Sequence, residues 1–297
     1  MTSSNIGESP LAAFFSDESL CRPEGRNSVH LFNALLHVGG HARNEIDDES
    51  RTLAEAIGEH DHYLFVLVDG MGTNLQPRMP QEGSLGRAER INLTSVYPST
   101  TAVALTSQAS GLWPAEHGVT GWHTHLPAGG ITVVPLKATE RLTGKPIKQI
   151  GVPFREVVPP DSRFPRLTHG PRVFMKKNIR GGQFARWAFE GITRTGTKTV
   201  SQAFDRVRHH LGKVDSPSFT HLYLEDLDSM SHRTGPFSEN VAALLARIDR
   251  ELLRVSETIG PKVRIIVSAD HGHIEVPREG RTMLNFADPL LSLLVVP

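Results

Sequence analysis

The chain has 297 residues, with 32 lysines and arginines balanced by 32 aspartates and glutamates. A formal charge of zero gives no global field toward nucleic acid or an anionic membrane, so an anionic ligand needs a local site. Hydrophobic residues make up 38%, enough for a large core and too many for global disorder. One cysteine, Cys21, excludes an internal disulfide framework. Histidine stands out at 15 residues. Several are paired, as in His60/His62, His123/His125, His209/His210 and His271/His273, a pattern that points to metal or acid–base chemistry.

In chain order, residues 1–27 are a polar, turn-rich lead with no cationic start followed by an apolar run. This predicts no signal peptide and, with the lone cysteine, a reducing, cytoplasmic setting. No apolar run approaches the roughly 20 residues that cross a bilayer, so neither a membrane nor a nucleic acid is expected as a partner. Tyr63–Val68 (YLFVLV) reads as a buried strand and runs into Asp69-Gly70. Ile91–Val96 reads as another strand. It leads to a short helix of small residues, Thr101–Ser110, stopped by Gly111 and Pro114.

Residues 127–200 are rich in Gly, Pro, Lys and Arg and show no clear periodicity. They read as an inserted cap or, equally, as a meander of edge strands. Their basic tract 172–186 (RVFMKKNIRGGQFAR) reads either as a surface for an anionic substrate or as a solvated face. Phe219–Leu224 (FTHLYL) is a third buried run and ends on Glu225-Asp226-Leu227-Asp228. From Phe237 to Thr258, Val241, Leu244, Leu245, Ile248, Leu252 and Val255 mark one face at helical spacing. Val263–Ser268 (VRIIVS) then runs into Ala269-Asp270-His271-Gly272, and Leu290–Pro297 reads as one more strand. A chain ending on such a strand leads us to expect a further C-terminal segment beyond it.

Near-continuous apolar runs suit a parallel sheet covered on both faces. The predicted class is therefore α/β, a three-layer sandwich with a mostly parallel central sheet. Residues 28–126 and 201–297 form its core, and 127–200 are inserted. In such sheets ligands bind beyond the carboxyl ends of the strands, where Asp69, Asp228 and Asp270 all lie. Three bare carboxylates in one place repel one another, and cations relieve that repulsion. His232 follows Asp228 by one helical turn and His271 adjoins Asp270, so both are placed to share a cation. Mixed Asp/His ligation suits zinc or manganese better than calcium. His273 stays outside the ligand set, as a supporting or exposed residue. In Pro98-Ser99-Thr100-Thr101 a hydroxyl at a helix N-terminus can meet a phosphate or simply cap the helix.

The stretches VLVDGMG (66–72), VYPSTTAVALTSQASGLWPAEHGVTG (96–121), YLEDLDSMSHRTGP (223–236) and VSADHGH (267–273) resemble the alkaline phosphatase superfamily. Within it they are most similar to the type I phosphodiesterase/nucleotide pyrophosphatase branch. That resemblance implies an alkaline-phosphatase-like fold and two divalent ions, zinc first and manganese second. Asp69, Thr101, Asp270 and His271 would hold one ion, with Thr101 as nucleophile because it stands third after Pro98. Asp228 and His232 would hold the second. The resemblance also implies a third ligand there, a histidine farther toward the C-terminus, which no position matches. Nucleotide pyrophosphatases carry an asparagine shortly after the His-Gly turn where this chain has Trp122.

The implied activity is hydrolysis of a small phosphate ester, a phosphodiester or nucleotide pyrophosphate, through a phosphothreonine. Two alternatives stand beside it, a phosphonate hydrolase of the phosphonoacetate hydrolase type and a catalytically silent metal-binding module.

Overall fold

A computed structural model describes residues 25–41 and 45–275. The lead up to residue 24, Cys21 and the strand expected at Leu290–Pro297 lie outside the described residues.

Among the described residues five strands form one parallel sheet. They are β1 (His62–Val68), β5 (Gly170–Lys176), β6 (Thr193–Thr197), β7 (Ser218–Leu224) and β8 (Val263–Ser268), in the order β6-β5-β7-β1-β8. β1 lies between β7 and β8 and is buried along its whole length. Alternate residues of β1 feed different cores, as the two-residue period of a strand requires. Tyr63, Phe65 and Leu67 join one core with helices α1 (Ser28–Val38), α2 (Asp48–Ile57) and α3 (Thr101–Ser110). Leu64, Val66 and Val68 join the other, with α5 (Val200–Leu211), α6 (Asp226–Thr234) and α7 (Glu239–Ile259). Burying each such side chain contributes about 1.5–3 kcal/mol. The result is the helix–sheet–helix sandwich the sequence predicts.

Helix α7 follows its predicted face closely. Val241, Leu244, Leu245, Ile248, Leu252 and Val255 are all buried. Its start is fixed by Ser238, whose side chain accepts from the Val241 N–H. Helix α3 covers the predicted Thr101–Ser110 and ends at Gly111, which has the left-handed conformation favoured in such caps (φ 69°).

Two expectations are corrected. Ile91–Val96 is not a strand. Its only strand-type pairing among the described residues is an isolated bridge between Asn27 and Thr94. Residues 127–200 are not a separate cap. β5 and β6 lie within them, and β5 pairs with β7 at the centre of the sheet through Gly170↔Ser218 to Phe174↔Leu222. Helix α4 (Gln183–Ala188) joins β5 to β6 and completes a parallel crossover. What stands apart from the main sheet is a small antiparallel sheet of β2 (Thr124–Leu126), β3 (Ile131–Val134) and β4 (Thr139–Glu140).

The basic tract 172–186 is also more committed than a free anion-binding face. Lys176 Nζ lies 3.3 Å from a Glu225 oxygen and 3.1 Å from an Asp226 oxygen. The Arg172 guanidinium donates to the Thr195 hydroxyl at 3.3 Å.

Candidate metal and catalytic site

The order β7-β1-β8 sets three strand ends side by side, and each releases a carboxylate at the same edge. Asp69 follows β1 directly. Asp270 lies two residues past β8. Asp228 lies in the first turn of α6, which starts right after β7. Helix α3 aims its first residue, Thr101, at the same place, and Thr100 acts as N-cap without a side-chain capping bond. The capping role considered for that hydroxyl is therefore not the one Thr100 plays.

The side chains fall into two clusters. In the first, Asp69, Asp270 and His271 are all buried, with one ligand-type atom from each within 4.8 Å of the others. The Thr101 hydroxyl is 3.0 Å from His271 Nε2 and 3.5 Å from Asp69 Oδ1. His271 Nε2 is 3.3 Å from Asp69 Oδ1 and 3.6 Å from Asp270 Oδ2. The edge of a tetrahedron with arms of about 2.0 Å is ~3.3 Å, so these separations fit donors arranged about one small cation. In the second cluster Asp228 Oδ1 is 3.3 Å from His232 Nε2 and 3.2 Å from His273 Nε2. All six residues singled out in the sequence are thus brought together at one edge.

The electrostatics of the site also suit a cation. Asp270 Oδ1 accepts from the backbone N–H groups of Gly70 and His271 at 3.1 and 2.9 Å. Its Oδ2 is buried without a hydrogen-bond partner among the described residues, a costly state unless something else satisfies it. The Asp69 carboxyl is pushed up to about 9, first by burial and then by the charges of Asp270 and Asp228. Asp228 behaves differently. Burial pushes its carboxyl up, but the imidazoles of His273, His232 and His271 outweigh that and hold it below the usual carboxylate range.

Sequence reasoning missed one residue of this neighbourhood and left a second, His273, outside the ligand set. Tyr223, the penultimate residue of β7, donates its hydroxyl to Asp69 Oδ2 at 2.5 Å. Its side chain is buried, and burial followed by the nearby carboxylates holds its hydroxyl protonated well above the ordinary tyrosine range. The signal was available, since Tyr223 shares a strand face with Phe219 and stands two residues before the acidic turn at Glu225. His273 is the second, and it owes its place to contacts distant in sequence. A groove of about 810 Å³ opens beside the site, bordered there by Ser99, Asp270, His271 and His273.

Comparisons with known proteins identify the family and the fold. The model of the type I phosphodiesterase / nucleotide pyrophosphatase family matches residues 63–292. Ectonucleotide pyrophosphatase/phosphodiesterase family member 3 of Mus musculus is 39% identical over 67 residues, 21% of this chain and 8% of that protein. Murine ectonucleotide pyrophosphatase/phosphodiesterase 5 superposes with a TM-score of 0.51 at 16% identity, covering 73% of this chain and 59% of that one. An inactive form of that murine protein, in complex with AMP, gives 0.50 at 15% identity. The human counterpart gives 0.50 at 18%, covering 71% of this chain and 57% of its own. At these identities the structures establish a common fold. The chain spans less than two thirds of the length of these relatives.

Proposed function

Because the chain belongs to the type I phosphodiesterase / nucleotide pyrophosphatase family, we propose that it hydrolyses small phosphate esters, phosphodiesters or nucleotide pyrophosphates, with Thr101 as nucleophile. The observation that carries this reading is the Thr101 hydroxyl, held between His271 Nε2 at 3.0 Å and Asp69 Oδ1 at 3.5 Å, at the start of α3.

Asp69, Thr101, Asp270 and His271 would hold one divalent ion, and Asp228 and His232 would hold a second. Crowded carboxylates and neutral imidazoles are the donor set zinc takes, with manganese the other choice. When bound, such ions neutralise phosphoryl charge and ease the ionisation of a hydroxyl or of water.

This chain's own groups do the rest. The Thr101 oxygen forms a bond to phosphorus while the bond to the leaving oxygen breaks. The leaving group departs with a proton, and a phosphothreonine remains. Water then attacks the same phosphorus, the threonine–phosphorus bond breaks, and phosphate or a phosphomonoester leaves. The N–H groups of the first turn of α3 and the positive end of its dipole favour the anionic phosphoryl group throughout. Tyr223 keeps Asp69 oriented.

The AMP complex of the murine neighbour supports a nucleotide as substrate or product. Trp122 is the point of departure. It is 40% exposed, with the Lys137 ammonium 5.9 Å from the ring centroid, and it stands where the resemblance places an asparagine.

The test is Thr101→Ala in the metal-loaded protein. With bis-p-nitrophenyl phosphate and a nucleotide p-nitrophenyl ester as probes, we expect turnover to fall at least ~10³-fold while metal content stays at the wild-type value. Hydrolysis at the wild-type rate would reject the covalent route. Faster wild-type turnover of phosphonoacetate than of either ester would move the substrate to phosphonates.

A further inference from the structure

We propose that His273 is a direct ligand of the second metal ion, completing Asp228 and His232 as a three-residue donor set. This rests on the two-metal reading above and adds a residue that neither motif nor resemblance supplies. Four observations carry it.

The first is distance. His273 Nε2 is 3.2 Å from Asp228 Oδ1, and His232 Nε2 is 3.3 Å from the same oxygen. Both match the ~3.3 Å between neighbouring donors of a tetrahedral ion. The second is the character of that approach. Although close to a carboxylate, His273 Nε2 makes no hydrogen bond among the described residues and is buried. A nitrogen placed to donate to Asp228 would be aligned with it. A buried nitrogen beside a carboxylate with no hydrogen bond of its own, and within 4.8 Å of the donor atoms of Asp228 and His232, suits a shared cation. The third is ring arrangement. The His232 and His273 rings meet edge-to-face at 87° with centroids 5.2 Å apart, so the two imidazoles lie side by side at Asp228.

The fourth is the backbone that admits the ring. Gly70 has φ 75°, and a Cβ there would collide with His273 Nε2 and lie 2.9 Å from its Cδ2 and 3.3 Å from the Asp228 Cα. A Cβ on Gly72 would collide with the Gly272 Cα. The Asn74 side-chain amide donates to the His273 carbonyl and pins the loop from the other side. The β1 loop is thus hollowed out where His273 enters, and one wall of the hollow is Asp228. His232 is open to solvent, with 71% of its side chain exposed against 11% for His273, so His273 supplies the inner donor and His232 the outer one.

The experiment measures metal binding on the whole chain stripped of metal. Zn²⁺ titration by calorimetry should give two sites in the wild type. In His273→Ala one site should keep its affinity and the other should weaken by at least ~10-fold, the loss typical of a removed metal contact. Circular dichroism and thermal unfolding of the metal-free proteins should coincide. His273→Cys gives a positive readout that does not depend on loss. Loaded with Co²⁺ it should show a near-ultraviolet thiolate-to-cobalt charge-transfer band that the wild type, with its own Cys21, lacks. Two undiminished sites in His273→Ala, or no such band in a folded His273→Cys, would overturn the assignment and leave the two-metal reading standing. A wild type that takes up fewer than two ions would overturn both together. Should His273→Ala fail to fold, the cobalt spectrum decides.

Discussion

His221 lies in β7 on the same face as Tyr223, one strand period farther from the acidic edge and inside the core. Its ring stacks on Phe65 at 5.2 Å and packs against Phe164 and Phe189. Burial pulls its pKa down to about 3, against ~6.5 in an unfolded chain. The folded state therefore keeps His221 neutral while the unfolded state takes a proton below pH ~6.5. The stabilisation is complete above that pH and is lost as pH falls toward the folded value, at about 1.4 kcal/mol per pH unit. We expect His221→Phe, studied metal-free, to flatten the fall in unfolding free energy between pH 6.5 and 5 by about 2 kcal/mol. Parallel pH profiles for the two proteins would contradict this. Tyr223→Phe removes the hydroxyl that orients Asp69. It should weaken metal at the Asp69 site by roughly 10–100-fold in chelator competition, and unchanged affinity would show that the contact is incidental.

At this scale much of the site was legible. Asp69, Asp228 and Asp270 announce themselves because each ends an apolar run, and His232 and His271 because they stand one turn or one residue away. His273 was not legible. It follows Asp270 by three residues in a loop without regular structure, and only Gly70 and Gly72, about two hundred positions earlier, make room for it. Sequence spacing carries no record of such a contact.

Among the elements, those whose pattern and environment agree were read correctly. β1 and β7 are apolar runs inside the sheet, buried along their whole length, and α7 shows an unbroken apolar face; β8 is a strand as read, but it is outermost among the described strands and only Val263 in it is buried. Leu245 on that face is fully buried among Leu64, Val66 and Leu222 of the same core. Leu245→Ala should cost about 2–5 kcal/mol in urea unfolding, and a loss below about 1 kcal/mol would mean the helix carries little of that core. β5 and β6 were missed for a physical reason. β5 (GPRVFMK) opens on glycine and proline, and β6 (TRTGT) is a polar edge strand in which only Thr197 is buried. Pairing with β7 decides β5, and pairing with β5 decides β6. Local propensity is overridden by that long-range context. Ile91–Val96 fails in the opposite sense. Its composition suits a strand, but only Val96 is buried there, and among the described residues its one strand-type pairing is the single bridge at Thr94.

For the whole molecule, chemistry follows from strand order. Placing β1 between β7 and β8 makes one edge of the sheet carry Asp69 flanked by Asp228 and Asp270. Helix α3 then brings Thr101 to the same edge from the layer above. Among the described residues no helix is long and apolar enough to cross a membrane. The groove beside Ser99 and His271 leads from the site along β8, past Ile265, Ile266 and Val267. The most direct measurement is anomalous diffraction at the zinc edge from crystals of the zinc-loaded protein. Two peaks about 4 Å apart should appear, one within reach of Asp69, Thr101, Asp270 and His271 and the other within reach of Asp228, His232 and His273. A map with no peak at this edge of the sheet, or with metal bound only elsewhere on the chain, would contradict the account.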